Sequence, residues 1–192
     1  ARQALAEVAQ NNALADVIPS VPAVLLNERE TVIEAFGSAA DTPEGRAAFD
    51  GKDSRLLYAM QYGKFHSSML SAWRNAKISD IYVVGTDGTI YFTMTKGREL
   101  LQNVNDPNNA ALADLVARSQ DAPIEAVTET PIIPYEAEDG DHSAFLAQPL
   151  AFSNWGKIER RGTVIVRISA RRLDTVVAPQ TLDGAIRDAV IL

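Results

Sequence analysis

The chain has 192 residues, 46% of them apolar, which suits one globular domain with a real core and excludes a disordered segment. The formal net charge is −7, and no basic run exceeds the pairs Arg160-Arg161 and Arg171-Arg172, so nucleic acid is excluded as the expected partner. There is no cysteine, which removes disulfides, thiolate metal sites and thiol nucleophiles together.

The first third reads as helical. Residues 1–15 hold good helix formers, with Leu5, Val8 and Ala15 near one side and Leu14 off it. Pro19 and Pro22 interrupt the pattern, and Pro22 then suits the first turn of a helix running on to Phe36, where its missing N–H is no loss. Residues 37–53 read as a loop with a short helix inside, after which Asp50 or Asp53 is expected to cap a long helix reaching about Lys77. On that helix Tyr58, Tyr62, Phe65, Met69, Trp73 and Ala76 fall within roughly 80° of one another at about 100° per residue. So aromatic a stripe calls for a broad, flat partner such as a sheet. His66 sits at its edge; a half-buried histidine hydrogen-bonded at the helix–sheet seam is the plain reading, and a ligand contact the other.

After Lys77 the period changes from 3.6 to 2. Strands are expected at 79–85 and 89–95, joined by a tight turn in which Asp87-Gly88 supplies the positive-φ positions. Short helices are expected at 96–104 and 108–119, with Asp106-Pro107-Asn108 marking the boundary and Asn108 able to cap. Further strands follow at 124–129, 143–152 and 163–169, with a loop at 130–142 and a turn over 153–162. The order implies an α+β fold: a long N-terminal helix packed on an antiparallel sheet, with short helices on the other face. We divide the chain into a helical region at 1–77, a sheet module at 78–178 and an exit segment at 179–192.

Catalytic signatures are scarce: no Walker loop, G-x-G-x-x-G, G-x-S-x-G or H-E-x-x-H occurs, so an enzyme is not the expected reading. The two histidines are far apart, and the acidic run from Glu136 to His142 lacks the spacing of a calcium loop; no metal and no cofactor is expected. The strands say more. Ile81 and Val83 oppose Tyr82 and Val84; Ile90, Phe92 and Met94 oppose Tyr91, Thr93 and Thr95; Phe145 and Ala147 oppose Ala144, Leu146 and Gln148; Val164, Val166 and Ile168 oppose Thr163, Ile165, Arg167 and Ser169. Neither face is charged enough to meet bulk water, so a sheet covered on both sides is implied. Simple core packing explains this for any one residue. The functional alternative is a cleft under the second cover, with Tyr91, Thr93 and Arg167 as its polar groups.

These motifs resemble the extracytoplasmic Cache (PAS-like) sensor domains of bacterial receptors, chemoreceptors above all. The resemblance rests on Asp80-Ile81-Tyr82-Val83-Val84, on Gly88-Thr89-Ile90-Tyr91-Phe92-Thr93-Met94 with Lys96 and Asn103-Val104 following, and upstream on Tyr58, Phe65 and His66. Downstream it rests on Tyr135, on Ser143-Ala144-Phe145-Leu146-Ala147-Gln148-Pro149 and on Gly162 to Ile168, and it spans about residues 58–176 in order. Gly97, Glu99 and Gln102 depart from the pattern. The resemblance implies a periplasmic domain of an inner-membrane receptor, of the methyl-accepting chemotaxis type. The ligand is expected to be a small molecule, an amino acid, carboxylate or amine, held between sheet and lid. The residues expected at the site are His66, Tyr82, Tyr91, Thr93, Lys96, Tyr135, Phe145 and Arg167. The ends, Ala-Arg-Gln and Ala-Val-Ile-Leu, read as cut, with membrane attachment through segments beyond them and a homodimer formed through the N-terminal helix. The rival readings are a sensor feeding a histidine kinase or nucleotide cyclase, a haem module using His66, and a ligand-free dimerisation module.

Overall fold

The computed structural model describes residues 1–135 and 141–171. Seven α-helices are described: α1 (Arg2–Ala9), α2 (Asn12–Val17), α3 (Val21–Gly37), α4 (Pro43–Ala48), α5 (Leu57–Gly63), α6 (His66–Ala76) and α7 (Ala110–Asp121). The strands are β1 (Asp80–Gly85), β2 (Ile90–Thr93), β3 (Thr128–Glu129), β4 (Ile133–Tyr135), β5 (Asp141–Asn154) and β6 (Lys157–Ser169). They form one antiparallel sheet in the order β2-β1-β6-β5-β3, with β4 also pairing with β5. The last described strand, β6, thus lies in the middle of the sheet. Its fold class is the expected α+β.

Local chemistry sets the helix starts. Asn11 Oδ1 accepts the Leu14 amide (3.0 Å) ahead of α2, and Thr42 Oγ1 accepts the Gly45 amide (3.1 Å) ahead of α4. Neither Asp50 nor Asp53 caps α5. Glu28, on α3, does so from across the interface, its two carboxylate oxygens accepting the Leu57 and Tyr58 amides at 3.0 and 2.9 Å. The helix expected over 53–77 is two helices, interrupted at Lys64 and Phe65. Phe65 leaves helical geometry (φ −130°), and its ring stands edge-on to Phe92 at 4.8 Å. The aromatic stripe survives the break, because Tyr58, Tyr62, Phe65, Met69 and Trp73 are all buried.

Both faces of the sheet are covered. Ile81, Val83, Val164, Val166, Phe92 and Met94 share a core with α1, α2, α3, α5 and α6, so helical region and sheet are joined by one apolar interior. Phe92 is its centre, with Tyr58 stacked at 5.2 Å and Phe36 edge-on to Tyr58 at 5.0 Å; aromatic pairs of this kind add about 0.5–1.5 kcal/mol each beyond their buried area. On the opposite face Tyr82, Val84, Ile90, Phe145, Ala147 and Ile165 pack against Leu112, Leu115 and Val116 of α7 and against Tyr135 of β4.

Several boundaries differ from expectation. Residues 96–104 form turns rather than a helix, and they wrap round the β2 edge as a strap: the Leu101 amide bonds to Ile90 O (2.9 Å) and the Val104 amide to Gly88 O (2.9 Å). The 124–129 strand is only Thr128–Glu129, and β4 lies inside the expected 130–142 loop. Strands β5 and β6 run further than expected and meet in a two-residue turn at Trp155-Gly156, both at positive φ (49° and 77°). The alternation of β2 is broken by a bulge: Val84 pairs with Ile90 but Val83 with Phe92, leaving Tyr91 as the extra residue. Ile90 therefore joins the α7 side, not the side of Phe92 and Met94. Residues 136–140 of the acidic run, and the chain from 172 onward with the exit segment 179–192, lie outside the described residues. None of the described helices is long and apolar enough to cross a membrane.

Candidate functional site

The two faces of the sheet differ in chemistry. Beneath the strap, β4 and α7, the sheet carries buried charge. Asp80 is wholly buried, and Arg167, directly opposite it in the β1–β6 register, is 6% exposed. Asp80 Oδ1 accepts three backbone amides, from Ile81 (2.7 Å), Met94 (2.9 Å) and Thr95 (3.0 Å), while Oδ2 accepts the Thr95 hydroxyl. Burial raises the Asp80 carboxyl above its usual value, with Arg167 and these donors pulling it back.

The cover contributes its own acid. Glu99, in the strap, is 1% exposed, and its Oε1 accepts the Tyr82 hydroxyl at 3.0 Å. The Tyr135 hydroxyl of β4, near the same carboxylate, makes a long hydrogen bond to Asn109 Oδ1 (3.4 Å). Burial, then the Glu99 charge, pushes both phenols well above the usual tyrosine range, so both remain protonated donors. The Tyr135 ring meets Phe145 edge-on at 5.1 Å, and the Arg167 guanidinium lies 5.9 Å from the same ring centre. Phe145 faces Arg167 across the β5–β6 ladder, and Thr93 faces Tyr82 across β1–β2. The buried hydroxyls of Thr93 and Ser143 have no hydrogen-bond partner among the described residues.

Five of the eight residues expected at a site, Tyr82, Thr93, Tyr135, Phe145 and Arg167, are therefore on this face. Three are elsewhere. Tyr91 is turned aside by the β2 bulge; its ring lies against Gly85 and its hydroxyl donates to Asp87 Oδ2 (2.9 Å) at the hairpin turn. His66 belongs to the helical face, where Nε2 is 2.8 Å from Ala47 O and the ring lies 4.8 Å from that of Tyr62. Lys96 also turns to the helical layer, its Nζ donating to the Tyr62 hydroxyl (2.9 Å). Sequence reasoning missed the two acids. Asp80 heads an otherwise apolar strand, an unusual place for a carboxylate, and Glu99 appeared only as a departure from a pattern.

The covering itself is as expected, but Tyr82, Tyr135 and Phe145 fill much of the space at 0–1% exposure. A shallow depression of about 160 Å³ opens elsewhere, between the β1–β2 turn and α7, lined by Asp87, Gly88, Asn105, Ala117 and Gln120 among others. It touches no residue of the charged cluster. Among the described residues no group of three or more His, Asp or Glu side chains could hold a metal ion. Compared with known proteins, the chain matches no family model, no curated protein and no solved structure.

Proposed function

We propose that the chain is a ligand-binding, extracytoplasmic sensor domain of a membrane-anchored receptor, of the methyl-accepting chemotaxis type, that takes a small molecule between sheet and cover. One observation carries the reading: two buried acids and a buried arginine, Asp80, Glu99 and Arg167, are gathered under the cover, while the helical face, Lys96 and His66 apart, is filled mainly by aromatic and aliphatic side chains. Burying Asp80, Glu99 and Arg167 costs stability that well-packed apolar residues would not cost. A sheet needed only for structure would gain by repeating the chemistry of its other face. The motif resemblance of residues 58–176 supports the same reading, and it is that of a binding module rather than an enzyme.

The parts come from both the sheet and its cover. Tyr82, Thr93, Phe145 and Arg167 stand on the sheet, whereas Glu99 and Tyr135 come from the cover. A ligand bridging them favours the closed arrangement, and it biases signalling only by its differential affinity for the two states. A tenfold preference corresponds to about 1.4 kcal/mol, within the reach of one hydrogen bond to a charged group.

The test is a thermal-shift screen of amino acids, carboxylates and amines, followed by calorimetry on the compound that stabilises most. Thr93→Val and Arg167→Met are expected to weaken its binding at least tenfold, and Tyr91→Phe to leave it unchanged. A stabilising compound whose affinity is the same in Thr93→Val and Arg167→Met would remove the cluster as the site.

A further inference from the structure

Lys96 is the first residue of the strap, and its backbone takes a left-handed conformation there (φ 52°), which a lysine adopts only when its surroundings hold it. The strap continues round the β2 edge, but the Lys96 side chain goes into the helical layer. Nζ donates to the Tyr62 hydroxyl at 2.9 Å and to Met94 O at 3.2 Å. It lies 4.8 Å from the centre of the Tyr62 ring and 5.9 Å from that of Phe36, with the whole residue 2% exposed. The neighbouring residue is tied as firmly. Thr95 gives its amide and hydroxyl to Asp80, and its carbonyl accepts Arg46 Nε at 2.7 Å. The strap thus springs from a junction fastened to the sheet through Asp80 and to the helices through Lys96 and Arg46.

Titratable and charged groups face this ammonium from each element around it. Asp80 on β1 and Asp50 after α4 favour its charge, and Arg46 on α4 opposes it; on the helical side stand Tyr62 of α5 and His66 of α6. Burial outweighs them and lowers the amine from its ordinary value to about 7. A group in this condition is protonated more readily when it reaches water, so proton uptake and release from the box are linked.

We propose that Lys96 is a proton-operated pin for the strap: taking up a proton there favours release of residues 97–104 from the sheet edge. The neutral amine stays in its aromatic box and the strap stays closed. Once Lys96 carries its proton, the box must hold a desolvated cation whose lost hydration the two rings, the Tyr62 hydroxyl and Met94 O offset only in part, and the arrangement in which residues 95–97 turn the amine out to solvent gains in proportion. The same strap carries Glu99, the partner of Tyr82, so the pin would make access to the charged cluster depend on pH. The proposal itself does not need a ligand to be bound there.

Amide hydrogen exchange on the 192-residue chain, corrected for the intrinsic pH dependence of exchange, tests it. The readouts are the Leu101 and Val104 amides, which close the strap onto Ile90 and Gly88. The strap's opening constant is expected to fall at least tenfold between pH 7 and 9, the limit being about tenfold per unit for release of one proton. The β5–β6 core amides are expected to exchange only through a rarer, larger opening. Lys96→Met, of similar length and without charge, is expected to flatten the pH dependence. A flat wild-type profile over this range overturns the proposal whether or not the variant folds, as does a Lys96→Met chain with the wild-type slope. Strap amides that open only together with the β5–β6 core overturn it too.

Discussion

Replacing Asp80 tests the junction directly. In Asp80→Ala the Ile81 and Thr95 amides lose their acceptor inside the protein, while the Met94 amide keeps Ile81 O at 3.0 Å. A buried donor left without a partner costs about 1–3 kcal/mol, so these two cost roughly 2–6 kcal/mol even if the Thr95 hydroxyl finds another acceptor. Arg167 also loses the charge that faces it across the ladder, which adds to the loss. The two losses overlap, and a fall of about 4–6 kcal/mol is expected, most of the stability of a typical domain at the low end of its range. Asp80→Asn keeps an oxygen for the three amides, and its NH2 can donate to Thr95 once that hydroxyl turns round, so a loss of about 1–2 kcal/mol is expected. Urea unfolding followed by circular dichroism measures both, with an unchanged m value as the check that only stability moved. The pH dependence has a definite sign. Burial holds the Asp80 carboxyl above its ordinary 3.8, so the folded chain binds the extra proton and its contribution to stability falls as pH rises through that window. Asp80→Asn lacks this slope, and its deficit is expected to be largest at low pH. An Asp80→Ala chain within about 1 kcal/mol of wild type, or Asp80→Asn as damaging as Asp80→Ala, would refute the reasoning.

Glu28→Ala removes the acceptor of the first two α5 amides and is expected to cost about 1–2 kcal/mol by urea unfolding, with Glu28→Gln recovering part of it. Gly162→Ala is expected to cost about 2–4 kcal/mol, because the new Cβ would stand 2.1 Å from Val84 O, a backbone atom held in the β1–β6 ladder, at a φ of 154°; a loss under about 1 kcal/mol would mean that the ladder gives way there. His66 is lowered from its usual 6.5 mainly by burial, so its contribution is fully present above that value and lost as pH falls through the folded value. His66→Gln, able to keep a hydrogen bond to Ala47 O, is expected to flatten the acid limb of the pH–stability curve below about pH 6.5.

Period and turn chemistry made much of the fold legible. The change from a 3.6 to a 2.0 repeat after Lys77 places β1 correctly, and the lack of charge on either side of the strands implies the double cover that the helices and α7 provide. What the pattern could not show were effects of neighbours distant in sequence. Glu28 caps α5 from thirty residues upstream of Tyr58, so no local residue reports it. Phe65 breaks its helix to reach Phe92, although its angular position on an unbroken helix looked ideal. The bulge at Tyr91 depends on pairing with β1, and simple alternation therefore put Tyr91 on the wrong side. On the charged face, Thr93 and Arg167 followed from strand parity, and Tyr82 from the motif resemblance. Lys96 did not, because a left-handed backbone reverses the direction its side chain takes.

The helices on one face and α7 on the other are held to the sheet by apolar packing, whereas part of the strap is held by hydrogen bonds. On the helical side, opening would separate Phe92 from Tyr58, Tyr62 and Phe65 and expose large rings at once; burying such a side chain is worth about 1.5–3 kcal/mol. On the other side, Glu99 is held to the sheet by the Tyr82 hydroxyl, and Tyr135 reaches Asn109 only at 3.4 Å. Hydrogen bonds to charged groups contribute about 1.5–3 kcal/mol each, and a ligand or water can replace them where it cannot replace packed rings. The strap also buries Leu100 and Leu101 in the core of the helical face, and Leu101 O accepts Arg29 of α3, so its release is not free. It remains the part of the cover whose ties are exchangeable, and its first residue is the buried lysine. Segments that move in switching come from the low-stability end of a structure, and here the buried ionisable groups Asp80, Lys96 and Glu99 fall within twenty residues around that strap. On the proposed readings, a ligand at the cluster and a proton at Lys96 would act on the same strap, with the aromatic face as the fixed surface beside it.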